Sequence, residues 1–345
     1  MNLNPEDVCY ITYTGKAAQV LRSKGCHNAK TSHKLLYKSV RLDDGTYRHF
    51  PRKFLESPYR LIIVDEVSML PKPIWDLLLS HQIPVLALGD PGQLPPVRAA
   101  DNGVLDHPHI FLDEIMRQAA ESEIIQLTMS IRDGKPLELL KGNEVRVVDQ
   151  DELDQPGFWY WADQILVGKN NTRFGINTLM RRLLYQAEDP NPIEGDRIIC
   201  LKNNWNCVNS TGDALVNGAS GFISNIEISH QNPFVERSII ADFIPDADDD
   251  GPFPSLEMDA QIFTEHHISP NKINPKMWIP QNAAPEQFDF GYAITCHKSQ
   301  GSEYEKVLVL EEFLKAESKE DHIRWLYTAA TRASKKLIIV RNYRL

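Results

Sequence analysis

Residues 61–97 read LIIVDEVSMLPKPIWDLLLSHQIPVLALGDPGQLPPV. Two short apolar runs, Leu61–Val64 and Val85–Leu88, each end in polar residues suited to phosphate chemistry. Asp65-Glu66 follows the first and Gly89-Asp90-Pro91-Gly92-Gln93 follows the second. Such runs read as buried parallel strands of an α/β protein, and PKPIWDLLLSHQ between them reads as a helix. Functional groups of these folds gather where the strands end. An Asp-Glu pair there suits hydrolysis of a nucleoside triphosphate, with Asp65 holding Mg²⁺ and Glu66 polarising the attacking water. Two solvated acids at a strand end are also common, so the surroundings carry the argument. Gln93, on the neighbouring loop, is of the type that senses a terminal phosphate. Arg117 and Arg332 are of the type that neutralises charge on a transferring phosphoryl group.

The chain has 345 residues, enough for two or three domains. With 42% hydrophobic and 24% charged residues it has a globular composition. No apolar run approaches the ~20 residues needed to cross a bilayer, and MNLNPEDVCY has no signal-peptide pattern. A cytoplasmic protein is expected, bacterial or in a host cytoplasm if phage-encoded. The five cysteines form no CxxC pair, so reduced thiols are expected rather than a zinc site. The net charge of −10 conceals a local asymmetry. Residues 1–60 carry eleven Lys/Arg against five Asp/Glu, whereas 242–259 carry seven acids and no Lys/Arg. Local sign steers a polyanion, so nucleic-acid binding stays open.

Taken in order, Val8–Thr12 reads as a strand and AAQVLRSKG behind it as a helix ending at Gly25. Asp44-Gly45 between SVRL and TYRHF signals a small basic hairpin. ESEIIQLTMSIRDG reads as a helix stopped by Gly134 and Pro136. Ile165–Val167 and GKNNTRFGINTLMRRLL form a second strand-and-helix unit, and GDRIICL is a strand. Residues 219–285 have strand-like pieces (FISNIEI, RSIIADFI, AQIFT) and many prolines, which indicates a small β insertion. His266-His267 within it reads as surface. Phe290–His297, Lys306–Leu310 and Leu337–Val340 restore the α/β pattern. Between the last strands, Thr295, His297, Ser299 and Gln300 offer neutral donors and acceptors suited to a nucleic-acid backbone. Glu303 is placed to accept from a ribose hydroxyl.

The ordered set TYTGKAAQVL, TSHKLL, VDEVSML, LGDPGQLPPV, LDEIMRQ, GYAITCHKSQGSEY and YTAATRA, spanning about residues 11–340, resembles a superfamily 1 DNA helicase of the RecD-like and Dda-like branch. The resemblance implies two RecA-like (P-loop NTPase) domains with parallel sheets: residues 1–145, and 146–218 with 286–345. It makes 219–285 an SH3-like insertion and the hairpin at about 38–58, centred on Lys38–Arg52, a strand-separating pin. ATP and Mg²⁺ would be the cofactors, with Mg²⁺ at Asp65. Glu66, Asp65, Gln93, Arg117 and Arg332 would be catalytic, and Gly301 and Glu303 would join the nucleotide contacts. Thr14, Gly15, His33, Thr295 and His297 would lie along single-stranded or forked DNA, travelled 5′ to 3′ in replication, recombination or repair.

One expected part is missing from the 345 residues. A phosphate loop needs glycine five residues before a Gly-Lys pair and Ser/Thr after it. At Gly15-Lys16 those positions hold Tyr10 and Ala17, and the pairs at 134–135 and 168–169 fail as well. The first RecA-like sheet is therefore expected to be N-terminally truncated, with unpaired edges and exposed apolar surface. A separate N-terminal polypeptide carrying the loop is the partner this implies. The leading reading is a form of an ATP-dependent DNA helicase without its phosphate loop. The alternative is a non-catalytic nucleic-acid-binding remnant or accessory subunit. A nucleotide kinase is disfavoured by the second RecA-like domain that the later motifs imply.

Overall fold

The computed structural model describes residues 3–41, 47–96, 99–112, 122–154, 157–229, 235, 237–246, 251–265, 284–313 and 318–344. In chain order the elements begin β1 (Val8–Thr12), α1 (Gly15–Ser23), β2 (Lys30–Thr31), α2 (Ser32–Leu36), β3 (Tyr37–Arg41), β4 (Tyr47–Pro51) and β5 (Leu61–Val64). Then come α3 (Lys72–Leu79), β6 (Val85–Ala87), α4 (Glu123–Arg132), β7 (Leu140–Lys141) and β8 (Val145–Val148). They continue with α5 (Gly157–Trp161), β9 (Gln164–Val167), α6 (Asn170–Tyr185), β10 (Arg197–Cys200), β11 (Asn204–Val208) and β12 (Ala214–Leu215). Next are β13 (Ser220–Ser229), β14 (Ser238–Pro245), β15 (Phe253–Asp259), α7 (Ala260–Glu265), β16 (Phe288–Phe290) and β17 (Ala293–Thr295). The last are α8 (Cys296–Ser299), β18 (Tyr304–Leu310), α9 (Lys319–Ala330) and β19 (Ala333–Val340). Two compact units result: Met1–Arg41, Tyr47–Glu152 and Ser299–Tyr343 form the first, and Leu153–Lys298 forms the body of the second.

In the first unit, β1 pairs in parallel with β2 and with β5, and β5 with β6, giving the order β2-β1-β5-β6. Cys9, Ile11, Ile62 and Val64 from the strands are buried with Leu36 of α2 and Leu78 of α3. Parallel pairing brings the ends of β1, β5 and β6 to one side, and Tyr13–Gly15, Asp65-Glu66 and the 88–93 loop follow directly. The expectation of a buried strand at Val85–Leu88 needs correction. β6 is the edge of this sheet, and Leu86 and Leu88 are 48% and 47% exposed. Residues β3 and β4 pair antiparallel from Tyr37↔Pro51 to Arg41↔Tyr47, as the hairpin signal requires. The Asp44-Gly45 turn lies outside the described residues.

A further sheet in this unit sets β19 parallel to both β18 and β8, with β7 antiparallel at its edge. Val307–Leu310 and Leu337–Val340 are buried throughout. Helix α9 starts at a capping box in which Ser318 Oγ accepts from the Asp321 amide and Asp321 accepts from the Ser318 amide. Trp325–Ala330 are all buried.

In the second unit β9 and β17 pair in parallel, and an antiparallel sheet runs β15-β14-β13-β10-β16. AQIFT is corrected from strand to helix: it forms most of α7. The β15 strand ends at Asp259, whose carboxylate accepts the Gln261 amide at 3.0 Å and starts the turn. His266 and His267 lie outside the described residues. Helix α6 buries polar residues. Arg181 Nε donates to both oxygens of Asp196 (3.1 and 3.0 Å), which also accepts from the Tyr292 hydroxyl at 2.8 Å. Asn177 donates to the carbonyls of Phe290 and Ala293 and accepts from the Ala293 amide. Among the described residues no helix is long and apolar enough to cross a membrane.

Removing one partner of a buried ion pair strands the other charge, at about 3–5 kcal/mol. Arg181→Leu is expected to lose that much stability in urea unfolding followed by tryptophan fluorescence. A loss below about 1 kcal/mol would mean that Asp196 does not depend on Arg181.

Candidate active site at the ends of the parallel strands

The Asp65 amide donates to the Ile11 carbonyl at 2.9 Å, so the backbone stays in sheet register up to this residue. Glu66 then turns out of it with φ 54° and ψ 46°. For a residue with a Cβ, left-handed backbone costs roughly 1–2 kcal/mol. The Glu66 amide donates to Asp65 Oδ1 at 3.0 Å, and the Val67 amide donates to the Leu88 carbonyl at 2.9 Å. These bonds tie the Asp-Glu corner to the loop after β6. Burial raises the Glu66 pKa, the charge of Arg332 pulls it back, and Asp65 and Asp90 push it further up.

That loop is held from distant parts of the chain. Asp90 Oδ1 accepts the Gly92 amide at 2.8 Å, and its Oδ2 accepts the Tyr327 hydroxyl at 2.7 Å. Gly92 packs against the Tyr327 ring: a Cβ there would stand 3.0 Å from Cε1. The Leu94 amide donates to Thr328 Oγ1 at 2.9 Å, and the Leu94 carbonyl accepts from Gln300 Nε2 at 3.3 Å. Burial and the Asp90 carboxylate push the Tyr327 phenol up to about 12. Gln93 is thereby presented on a fixed loop, and its buried Oε1 has no hydrogen-bond partner among the described residues.

Arg332 stands two residues beyond the end of α9. It is 6% exposed, and its guanidinium donates to the Thr328 carbonyl at 3.1 Å, the Ser302 carbonyl at 3.2 Å and Thr331 Oγ1 at 3.1 Å. All three acceptors are neutral. No carboxylate forms an ion pair with it among the described residues, and its charge lowers the Glu66 pKa. A buried guanidinium so placed has a charge left over for an anion.

The other candidates fall into three groups. Thr14 caps α1 by accepting the Ala17 amide at 3.2 Å, and Gly301, at φ +76°, packs there: a Cβ on it would stand 3.0 Å from Ala17 Cβ and 3.2 Å from Thr14 Oγ1. Gly15 opens α1 beside this contact. Glu303 and His33 are exposed in the same unit. Thr295 and His297 belong to the second unit, where Thr295 ends β17 and burial lowers the His297 pKa. Arg117 lies outside the described residues. Gln300, read from sequence as a nucleic-acid contact, here holds the Leu94 carbonyl. Asp90, Tyr327 and Thr328 carry no sequence signal of their role, because their partners are more than two hundred residues away.

Asp65 and Glu66 are hard oxygen donors, the ligand type Mg²⁺ prefers. One or two carboxylates suffice when waters and phosphates complete the shell. The residues therefore fit the ion.

Residues 3–150 match the family model described as an AAA domain, and residues 290–340 match the UvrD-like helicase C-terminal domain. The ATP-dependent RecD2 DNA helicase of Deinococcus radiodurans is 30% identical over 349 aligned residues, covering 93% of this chain. The chain spans only 41% of that relative's length. The Pif1 helicase of Candida albicans shares the fold, with a TM-score of 0.52 at 15% identity over 98% of this chain and 85% of its own. Bacteroides Pif1, solved in complex with ADP-AlF3 and ssDNA, gives 0.50 at 16% identity over 98% and 83%.

Tyr327→Phe leaves Asp90 Oδ2 without its donor. A loss of about 1–3 kcal/mol is expected in thermal unfolding, with faster amide exchange across 92–94. Unchanged stability and exchange would mean that the bond does not hold the loop.

Proposed function

We propose that the chain is part of a superfamily 1 helicase of the RecD/Pif1 kind, an ATP-dependent translocase that moves 5′ to 3′ along single-stranded DNA. The observation that carries this reading is the buried Arg332 guanidinium, bonded to neutral acceptors and felt by Glu66. In the proposed mechanism Glu66 accepts a proton from the attacking water, and its raised pKa brings it closer to an effective base. Arg332, with Arg117, neutralises charge on the transferring phosphoryl group, and Gln93 reads the terminal phosphate. Asp65 would hold Mg²⁺, which when bound neutralises phosphate charge. Gly301 and Glu303 complete the nucleotide contacts.

The phosphate-gripping half of the site is proposed to come from polypeptide outside these 345 residues. The open edge of β6, with Leu86 and Leu88 exposed, is suited to receive the strand that carries it. The proposed domains are 1–145, 146–218 with 286–345, and an SH3-like insertion at 219–285. DNA would run past Thr14, Gly15, His33, Thr295 and His297, with the Lys38–Arg52 hairpin meeting the fork. The protein would work in the cytoplasm.

Two measurements check this. The 345-residue chain is expected to bind oligodeoxythymidylate with an affinity that falls steeply as salt rises. It is also expected to hydrolyse ATP poorly with or without DNA. Robust DNA-stimulated turnover, lost in Glu66→Gln, would show that no further phosphate-gripping element is needed. Once that element is supplied, turnover should rise with pH through a pKa above the ordinary glutamate value of 4.5, since the base must be ionised. A pH profile flat across that region would remove Glu66 as the base.

A further inference from the structure

Helix α9 is held from two sides, and the loop after β6 is only one of them. At about 3.6 residues per turn, His322 projects from the side of the helix opposite to Tyr327 and Thr328. Its Nε2 bonds Glu311 Oε1 at 3.0 Å, and both side chains are buried. Glu311 directly follows β18. Its amide donates to the Val340 carbonyl at 2.9 Å, and its carbonyl accepts the Tyr343 amide at 2.7 Å. Glu311 Oε2 accepts the Asn342 amide at 2.8 Å, where the chain leaves β19 with a left-handed residue at φ 53°. The carboxylate is thereby fixed to the ends of β18 and β19, with Oε1 turned to the helix. The imidazole lies between two other rings. Phe313 stacks on it with centroids 4.0 Å apart and planes inclined by 14°, and Trp325 stands at 6.1 Å and 16°. The other ring nitrogen, Nδ1, is buried without a hydrogen-bond partner among the described residues.

We propose that Glu311 and His322 are positioning residues: their bond fixes where α9 stands on its sheet, and through α9 it places both the loop that presents Gln93 and the Arg332 guanidinium. Stability alone does not call for such a pair. Replacing both partners of a buried hydrogen bond by apolar groups of the same shape is nearly neutral. An apolar contact tolerates sliding, whereas a hydrogen bond to a carboxylate already held at its other oxygen sets a distance and a direction. The rings on either side of the imidazole keep it from tilting out of that line. On the far side of the helix a displacement is passed on directly. Tyr327 bonds Asp90, Thr328 Oγ1 accepts the Leu94 amide, and the Thr328 carbonyl accepts Arg332 Nε. The consequence for hydrolysis rests on the reading of Gln93 and Arg332 as phosphate contacts, while the placement of α9 stands apart from it.

The test uses the full chain and two reporters. Hydrogen exchange of the Leu94 amide, bonded to Thr328, reports on the loop. NMR titration of the Glu66 carboxyl reports on Arg332, whose charge lowers its pKa. The double variant Glu311→Leu with His322→Leu is expected to unfold at an unchanged or higher denaturant midpoint, yet to exchange the Leu94 amide about tenfold faster. Glu66 should then titrate at higher pH, because Arg332 stands farther away. His322→Gln, which keeps an N–H for Glu311, should retain the exchange rate and titration of the unsubstituted chain. A folded double variant with both reporters unchanged would overturn the proposal, since the pair would only fill space. Faster exchange shared equally by β9 and β17 of the second unit would also overturn it, by making the effect a loss of overall stability. So would failure of the double variant to fold, or a His322→Gln variant that behaves like it. Neither reporter uses ATP or DNA, so an overturned proposal leaves the helicase reading standing.

Discussion

The grip of α9 on the loop after β6 is the constraint on which the site depends. Tyr327 bonds Asp90, Thr328 bonds Leu94, and Arg332, one turn further on, bonds the Thr328 carbonyl. One helical turn therefore sets both the loop that presents Gln93 and the guanidinium that stands near Glu66. Any shift of α9 moves the two together. The helix itself is held by its capping box and by burial of nearly every residue in its second half. A Cβ at position 92 would stand 3.0 Å from the Tyr327 ring, so ring or loop would have to give by a few tenths of an ångström.

Against this rigid frame, three groups are left in states that the protein alone does not reward. Glu66 has a left-handed backbone and a carboxylate whose burial favours the protonated form. Among the described residues, the Gln93 carbonyl oxygen is buried without a hydrogen bond, and Arg332 is buried without an acid bonded to it. Strain and unsatisfied polar groups that collect at one place, with stable packing around them, are the mark of a site shaped for a ligand.

What could be read in the sequence follows from local physics. Leu61–Val64 and the acids after it were legible because a parallel strand writes itself as a continuous apolar run with its function at the end. The exposure of β6 was not, since an apolar run does not say which strand lies at a sheet's edge. AQIFT looked like a strand by composition, but the Asp259 cap decided for a helix. The polar residues of α6 gave a helical pattern without revealing that Arg181 and Asn177 are inside it, bonded to Asp196, Phe290 and Ala293. The partners of Asp90 and Leu94 lie more than two hundred residues away, and no local pattern records them.

The central claim is that Arg332 is kept buried for an anionic ligand rather than for the fold. Replacing a buried, uncompensated charge by an apolar side chain of similar length is neutral or stabilising, whereas breaking a structural ion pair is costly. Denaturant unfolding of Arg332→Met in the absence of any ligand tests this directly. Stability equal to or greater than that of the unsubstituted chain is the predicted result. A loss of about 3–5 kcal/mol would show that the guanidinium holds the fold, and would contradict the account.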